Sequence, residues 1–140
     1  MNWLTWSLLS ALFAGLTAVL AKVGIAGVDS NLATAIRTTV ILIFAWAIAS
    51  VTARPAELTT LSGRTWLFLA LSGIATGLSW LCYFRALQLG QASQVAPVDK
   101  LSVVFVLLFA ALFLREPLTF RSGLGGMLIV AGAIVLAWKR

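Results

Sequence analysis

Residues Val95–Leu114 read VAPVDKLSVVFVLLFAALFL, and Arg115-Glu116-Pro117 follows directly. A hydrocarbon core about 30 Å thick is crossed by roughly 20 residues of helix, and this run is 20 residues long. From Leu101 onward it is apolar except for Ser102. Pro117 sets the stop, because the residue before a proline avoids helical geometry. The run therefore reads as a membrane span. It is a span that carries Asp99 beside Lys100 in its first turns, and charges at membrane depth need a cavity or a partner.

The rest of the chain agrees. Of its 140 residues, 61% are hydrophobic and 10% charged, and the mean hydropathy is +1.05. A soluble domain holds about 45–50% apolar and about 25% charged residues, so lipid must be the solvent for the apolar excess. There is no His, and Cys82 is the single cysteine. That excludes a disulfide framework and a His/Cys metal cluster, and no cofactor is expected. An enzyme is not expected either, because the acids do not cluster as a catalytic pair and Cys82, inside an apolar run, has no evident base. The net charge of +6 could point to nucleic acid, but the basic residues are scattered singly and form no patch or stripe.

Five stretches qualify as transmembrane helices: residues 3–21, 32–51, 66–86, 95–114 and 122–138. The first and last are uncharged, the second carries Arg37, the third is uncharged through Phe84 and reaches Arg85, and the fourth carries Asp99 and Lys100. Gly24, Gly27 and Asp29-Ser30-Asn31 separate the first two. Arg54-Pro55, Ser62-Gly63 and Arg64 precede the third, and Leu89-Gly90-Gln91 precedes the fourth. Residues 1–140 read as one all-α integral membrane domain, a five-helix bundle with no room for a soluble domain. The first span has no basic leader and its first cation is Lys22, so it reads as a retained helix and not as a signal peptide.

Five spans put the termini on opposite sides. Arg54, Arg64, Arg115 and Arg121 fall on one side, and Lys22, Lys139 and Arg140 on the other. Adding Arg37 makes the two sides equal, and Arg85 with Lys100 tips the balance the other way. The positive-inside bias is nearly absent. Such a chain is a candidate for dual topology, in which two oppositely inserted copies pair as an antiparallel homodimer and reproduce the inverted repeats of larger transporters. The competing reading keeps the N-terminus cytoplasmic.

Lipid does not drive helices together by hydrophobicity, so close packing needs small residues. Gly15 lies on a stripe with Ala11 and Ala18, Gly73 and Gly77 form a GxxxG, and Gly125 and Gly132 share a face of the last span. Trp3, Trp6, Trp66 and Trp138 sit near helix ends, where amphipathic rings prefer the interface. Trp46 and Trp80 lie deeper. Tyr83 at i+3 and Phe84 at i+4 make the Trp80 face aromatic.

Four charges remain to be explained. Arg37 either snorkels to the headgroups or forms a polar patch with Thr34 and Thr38 on its own helix face. Arg85 and Asp99 face each other across the short connection at 88–94 and could pair. Asp99 suits the positive end of its helix dipole, which opposes Lys100, so Lys100 must snorkel, pair or meet an anion. Pro97 stiffens the entry and leaves backbone groups free nearby. Helix ends of this kind are where transporters hold anionic groups.

The stretch YFRALQLGQASQVAPVDKLSVVFVLLFAALFLREPLT, Tyr83–Thr119, resembles the third-to-fourth-span hairpin of the drug/metabolite transporter superfamily, with its small-residue turn, its Pro and a Glu, here Glu116, closing the fourth span. GLTAVLAKVGIAGVDSNLATAIRT, Gly15–Thr38, is similar to the start of an EamA-type unit. The resemblance covers essentially the whole chain. Most such relatives carry ten helices as two inverted five-helix repeats around a central cavity, and this chain holds one repeat. The resemblance therefore implies a homodimer, antiparallel by the family's inverted symmetry, in the bacterial inner membrane. It also implies a secondary transporter of small metabolites working by alternating access. The four-helix small multidrug exporters of the superfamily use a Glu in their first helix, and residues 3–21 hold no acid. The mostly positive charges at the membrane edge fit an anionic or zwitterionic, amino-acid-like substrate better. Its candidate binding or gating residues are Arg37, Trp80, Tyr83, Arg85, Asp99 and Lys100. The alternative is a non-transporting membrane subunit that assembles with a larger carrier.

Overall fold

The computed structural model describes residues 2–54 and 56–138. Pro55, Lys139 and Arg140, which entered the loop and charge reading, lie outside the described residues. The chain is all-helical: α1 (Trp3–Gly24), α2 (Ser30–Thr52), α3 (Ala56–Thr60), α4 (Gly63–Leu89), α5 (Ala92–Asp99), α6 (Ser102–Phe109), a π turn (Ala110–Leu114) and α7 (Phe120–Ala137). Among the described residues, five helical segments are long and apolar enough to cross a membrane. They are α1, α2, α4, the run Ala92–Leu114, and α7.

All five expected spans are present, and most run past the expected ends. α1 continues through Lys22 to Gly24, and α4 starts at Gly63 and reaches Leu89. The connection between the third and fourth spans shrinks to Gly90-Gln91. α2 starts at Ser30 because the Asp29 carboxylate accepts hydrogen bonds from the amides of Asn31 (2.9 Å) and Leu32 (3.0 Å), filling two of the four amides that a helix start leaves open. Gly27, at φ 74°, makes the turn before it. α7 opens with a reciprocal cap. The Thr119 hydroxyl accepts from the Ser122 amide (3.2 Å), and the Ser122 hydroxyl accepts from the Thr119 amide (2.9 Å). Inside the spans, the hydroxyls of Ser7, Thr34, Thr38, Thr39, Thr52 and Thr76 donate to the carbonyl four residues back. That is the internal satisfaction a lipid solvent demands.

The fourth span is not a uniform helix. The Lys100 amide bonds to the carbonyls of Ala96 (3.3 Å) and Pro97 (3.1 Å), Leu101 to Val98 (3.0 Å), Val103 to Lys100 (3.0 Å) and Val104 to Leu101 (2.9 Å). All but the Lys100–Ala96 bond are i→i−3 bonds, which mark a tightened, 3₁₀-like turn. Pro97 lies inside α5, and the change of winding comes three residues later, at Lys100 (φ −69°, ψ −8°). At the far end the winding loosens into the π turn, and Arg115 closes it in the left-handed region at φ 57°, ψ 29°.

The chain forms two compact units, residues 1–23 with 89–140, and residues 24–88. In the first, α5 and α6 pack against α7, and Ala18, Gly126 and Ala133 are buried. A Cβ on Gly126 would stand 3.4 Å from Leu107 Cδ1. Lys22 Nζ donates to the Gly90 carbonyl at 2.8 Å. A cleft of about 400 Å³ runs between α6 and α7, lined by apolar side chains including Leu107, Leu118, Met127, Val130 and Ile134. In the second unit, Ile25, Ser30, Thr34, Phe84 and Leu87 are buried, and Gln88 Nε2 donates to the Val28 carbonyl at 2.6 Å. Elsewhere large apolar side chains are exposed, Phe113 at 78% and Leu112 at 72%, as lipid-facing residues are.

Candidate functional site

Arg37 lies seven residues into α2, about 10 Å along the axis at 1.5 Å per residue. Its guanidinium carbon stands 4.4 Å from the centroid of the Trp80 ring and 5.4 Å from that of Phe84. Tyr83 meets Phe84 edge to face, with centroids 6.5 Å apart and planes at 64°. The α4 face i, i+3, i+4 therefore supplies three rings, two of which hold the cation. Neither α2 nor α4 contains an acid. The stack contributes roughly 0.5–2 kcal/mol, depending on how dry it is. A charge at membrane depth costs about 2.5–3.5 kcal/mol, so the rings offset part of that cost and leave the positive charge uncancelled. A guanidinium stacked by its face keeps in-plane N–H donors for an oxyanion. Thr34 and Thr38, which share its face, spend their hydroxyl hydrogens on the carbonyls of Ser30 and Thr34, both at 2.8 Å. They can only accept from a ligand.

Arg85 takes a different place. Its Nη1 donates to Gln88 Oε1 at 2.9 Å, and Gln88 passes the link on to Val28. Asp99 is paired with its neighbour, Lys100 Nζ to Asp99 Oδ2 at 3.4 Å. Arg85 belongs to the unit of residues 24–88 and Asp99 to the unit of residues 1–23 with 89–140. The reading of Asp99 at the positive end of its helix dipole changes. Because α5 starts at Ala92, Asp99 is that helix's last residue, about 10 Å into the span. α6 then begins with no side-chain cap. The tightened turn lets i and i+1 side chains meet, which regular helical spacing does not. The side chains are 57% (Lys100) and 36% (Asp99) exposed, so the pair is open to a ligand from its own unit's surface.

Gly15, Gly73, Gly77, Gly125 and Gly132 would carry a Cβ with no atom within 4 Å among the described residues. Among the glycines so described, the close approach falls at Gly126, one residue around α7 from Gly125. Phe84, Gln88 and Gly126 are the contributors that sequence reasoning left out of the site. The i+4 spacing from Trp80 carries a signal for Phe84. Nothing local marks Gln88, whose carbonyl partner lies 60 positions away.

The profile of the EamA-like transporter family matches residues 1–138. A Sinorhizobium sp protein called "Uncharacterized transporter in cobO 3'region" is 57% identical over 136 residues, covering 97% of this chain and 96% of its own. A probable 4-amino-4-deoxy-L-arabinose-phosphoundecaprenol flippase subunit ArnE from Enterobacter sp. (strain 638) is 36% identical over 73 residues, 52% of this chain and 68% of its own. An uncharacterized transporter of Methanothermobacter thermautotrophicus is 31% identical over 71 residues, 51% of this chain and 21% of its own. No solved structure matches.

Proposed function

We propose, from the premise that this chain belongs to the EamA-like transporter family, that it moves small anionic or zwitterionic, amino-acid-like metabolites across the bacterial inner membrane. The chain is a multi-pass membrane protein of a transporter family, and its five apolar helices imply the bilayer as its surroundings. The finer reading rests on one observation. Arg37 is held inside a span by Trp80 at 4.4 Å, with no acid in α2 or α4 to neutralise it. Fixed positive charge at membrane depth belongs to substrate or ion paths, and an aromatic clamp that leaves the charge uncancelled suits a carboxylate or another oxyanion.

Two copies, inserted in opposite directions, supply ten helices and alternate access by rocking against each other. The near balance of basic residues across the membrane and the five-helix length support that assembly. The test is uptake of labelled amino acids by vesicles containing the purified chain alone. Arg37→Gln should lower uptake by at least tenfold at a subsaturating concentration, the loss of one charge-assisted hydrogen bond. Unchanged uptake by that variant refutes the role of Arg37.

A second reading is favoured by the ArnE relatives, named as flippase subunits at 36% and 37% identity. On that reading the chain is a membrane subunit that assembles with a larger carrier. Transport by the purified chain alone rejects it, and transport only on adding a second membrane protein supports it.

A further inference from the structure

Of the four acidic residues in the chain, Asp99 is the one inside a spanning helix. Asp29 caps α2 from outside, Glu57 lies in the short α3 and Glu116 follows the π turn. Its carboxylate touches the Lys100 ammonium at 3.4 Å, in the turn around Lys100 where the fourth span tightens into i→i−3 bonding. α7, the helix packed against α5, carries Arg121 alone, at its opposite end. α6 and the π turn carry no charge. In α1 of the same unit, Lys22 is engaged with the Gly90 carbonyl.

We propose that Asp99 and Lys100 form a proton-coupling site, in which a proton on Asp99 and an oxyanion on Lys100 bind together. The inference rests on the transporter reading above and names its driving ion. Charge accounting carries it. With Asp99 ionised, the pair is neutral. Protonation of an Asp99 carboxylate oxygen by water on one side removes the ammonium's counter-ion and leaves a net positive charge at membrane depth. An oxyanion on Lys100 Nζ restores neutrality. An anion arriving without the proton would leave the site net negative. Proton alone and anion alone are therefore disfavoured and the two together are not, so each raises the other's affinity by the same factor, on the order of a hundredfold. On the opposite side the proton returns to water, the ion pair re-forms and the anion leaves. One proton and one anionic charge cross together.

The test uses the full chain in phosphatidylethanolamine–phosphatidylglycerol vesicles, with L-glutamate and inorganic phosphate as labelled probes. An inward proton gradient should drive accumulation of a probe above its outside concentration. Asp99→Asn should abolish that accumulation, and any remaining exchange should no longer depend on pH. Gradient-driven accumulation by Asp99→Asn, or wild-type accumulation indifferent to the gradient, overturns the proposal and leaves the transporter reading standing. If neither probe crosses at all, the transporter reading fails for these anions, and infrared titration of the carboxyl band that Asp99→Asn removes decides the coupling separately. Saturating phosphate should raise its midpoint by about two pH units. A midpoint indifferent to phosphate, or a shift that survives Lys100→Gln, overturns the proposal.

Discussion

The stack of Arg37 on Trp80 can be tested as an energy before any substrate is known. Trp80→Leu removes the ring 4.4 Å from the guanidinium carbon and leaves Phe84 at 5.4 Å. Arg37→Gln removes the charge and keeps most of the side-chain length. The site is half-buried, so the cation–π coupling between the two positions should be about 1 kcal/mol, between the exposed and desolvated limits. The nearer ring should carry most of it, and the Arg37–Phe84 coupling should be about half as large. The assay is a double-mutant cycle on equilibrium unfolding in mixed micelles, which subtracts the packing loss of the indole. Replacing Trp80 alone costs more than the coupling, because its area is lost as well. Arg37→Gln alone should be nearly neutral or mildly stabilising, since it also removes the cost of a charge in a span. A coupling below about 0.3 kcal/mol would show that the rings only border the cation. The aromatic clamp, and with it the argument that Arg37 is held for an anion, would then be wrong.

Two further outcomes follow from backbone and packing. Arg115 sits at φ 57°, where a Cβ costs roughly 1–2 kcal/mol, so Arg115→Gly should stabilise the chain by about 0.5–1 kcal/mol in the same unfolding assay. Gly126→Ala should be neutral or slightly stabilising, because its Cβ meets only the flexible tip of Leu107 at 3.4 Å, whereas Gly126→Ile should cost about 1–3 kcal/mol by overpacking.

The five spans were legible because apolar runs of membrane length are bounded by Gly, Pro and charged residues. Their ends were not, because Lys22, Arg64 and Gln88 are helical in spite of their polarity, and a helix continues until its backbone groups find other partners. Pro97 was read as an entry point, yet α5 runs through it and the winding tightens at Lys100. Neither Lys100-Leu101 nor Ala110–Leu114 contains a glycine or proline that would announce the tightened turn or the π turn. Arg37 and Trp80 were each singled out, but 43 positions separate them, and their contact is a property of how α2 meets α4. The i+3, i+4 spacing of Tyr83 and Phe84 from Trp80 was enough to show that one face is aromatic. It was not enough to show what that face holds.

The hydrogen bond from Lys22 to the Gly90 carbonyl has a consequence in the order of biosynthesis. The two residues are 68 positions apart, so at about 5–20 residues per second the ribosome needs roughly 3–14 seconds to add the acceptor after the donor has been made. Until then that acceptor does not exist, and Lys22 is a cation just past the first hydrophobic segment, where Lys and Arg bias orientation. The carbonyl that later fixes Lys22 is therefore absent when that bias first acts, and the contact adds its stability only once the third span and the turn at Gly90 have been made.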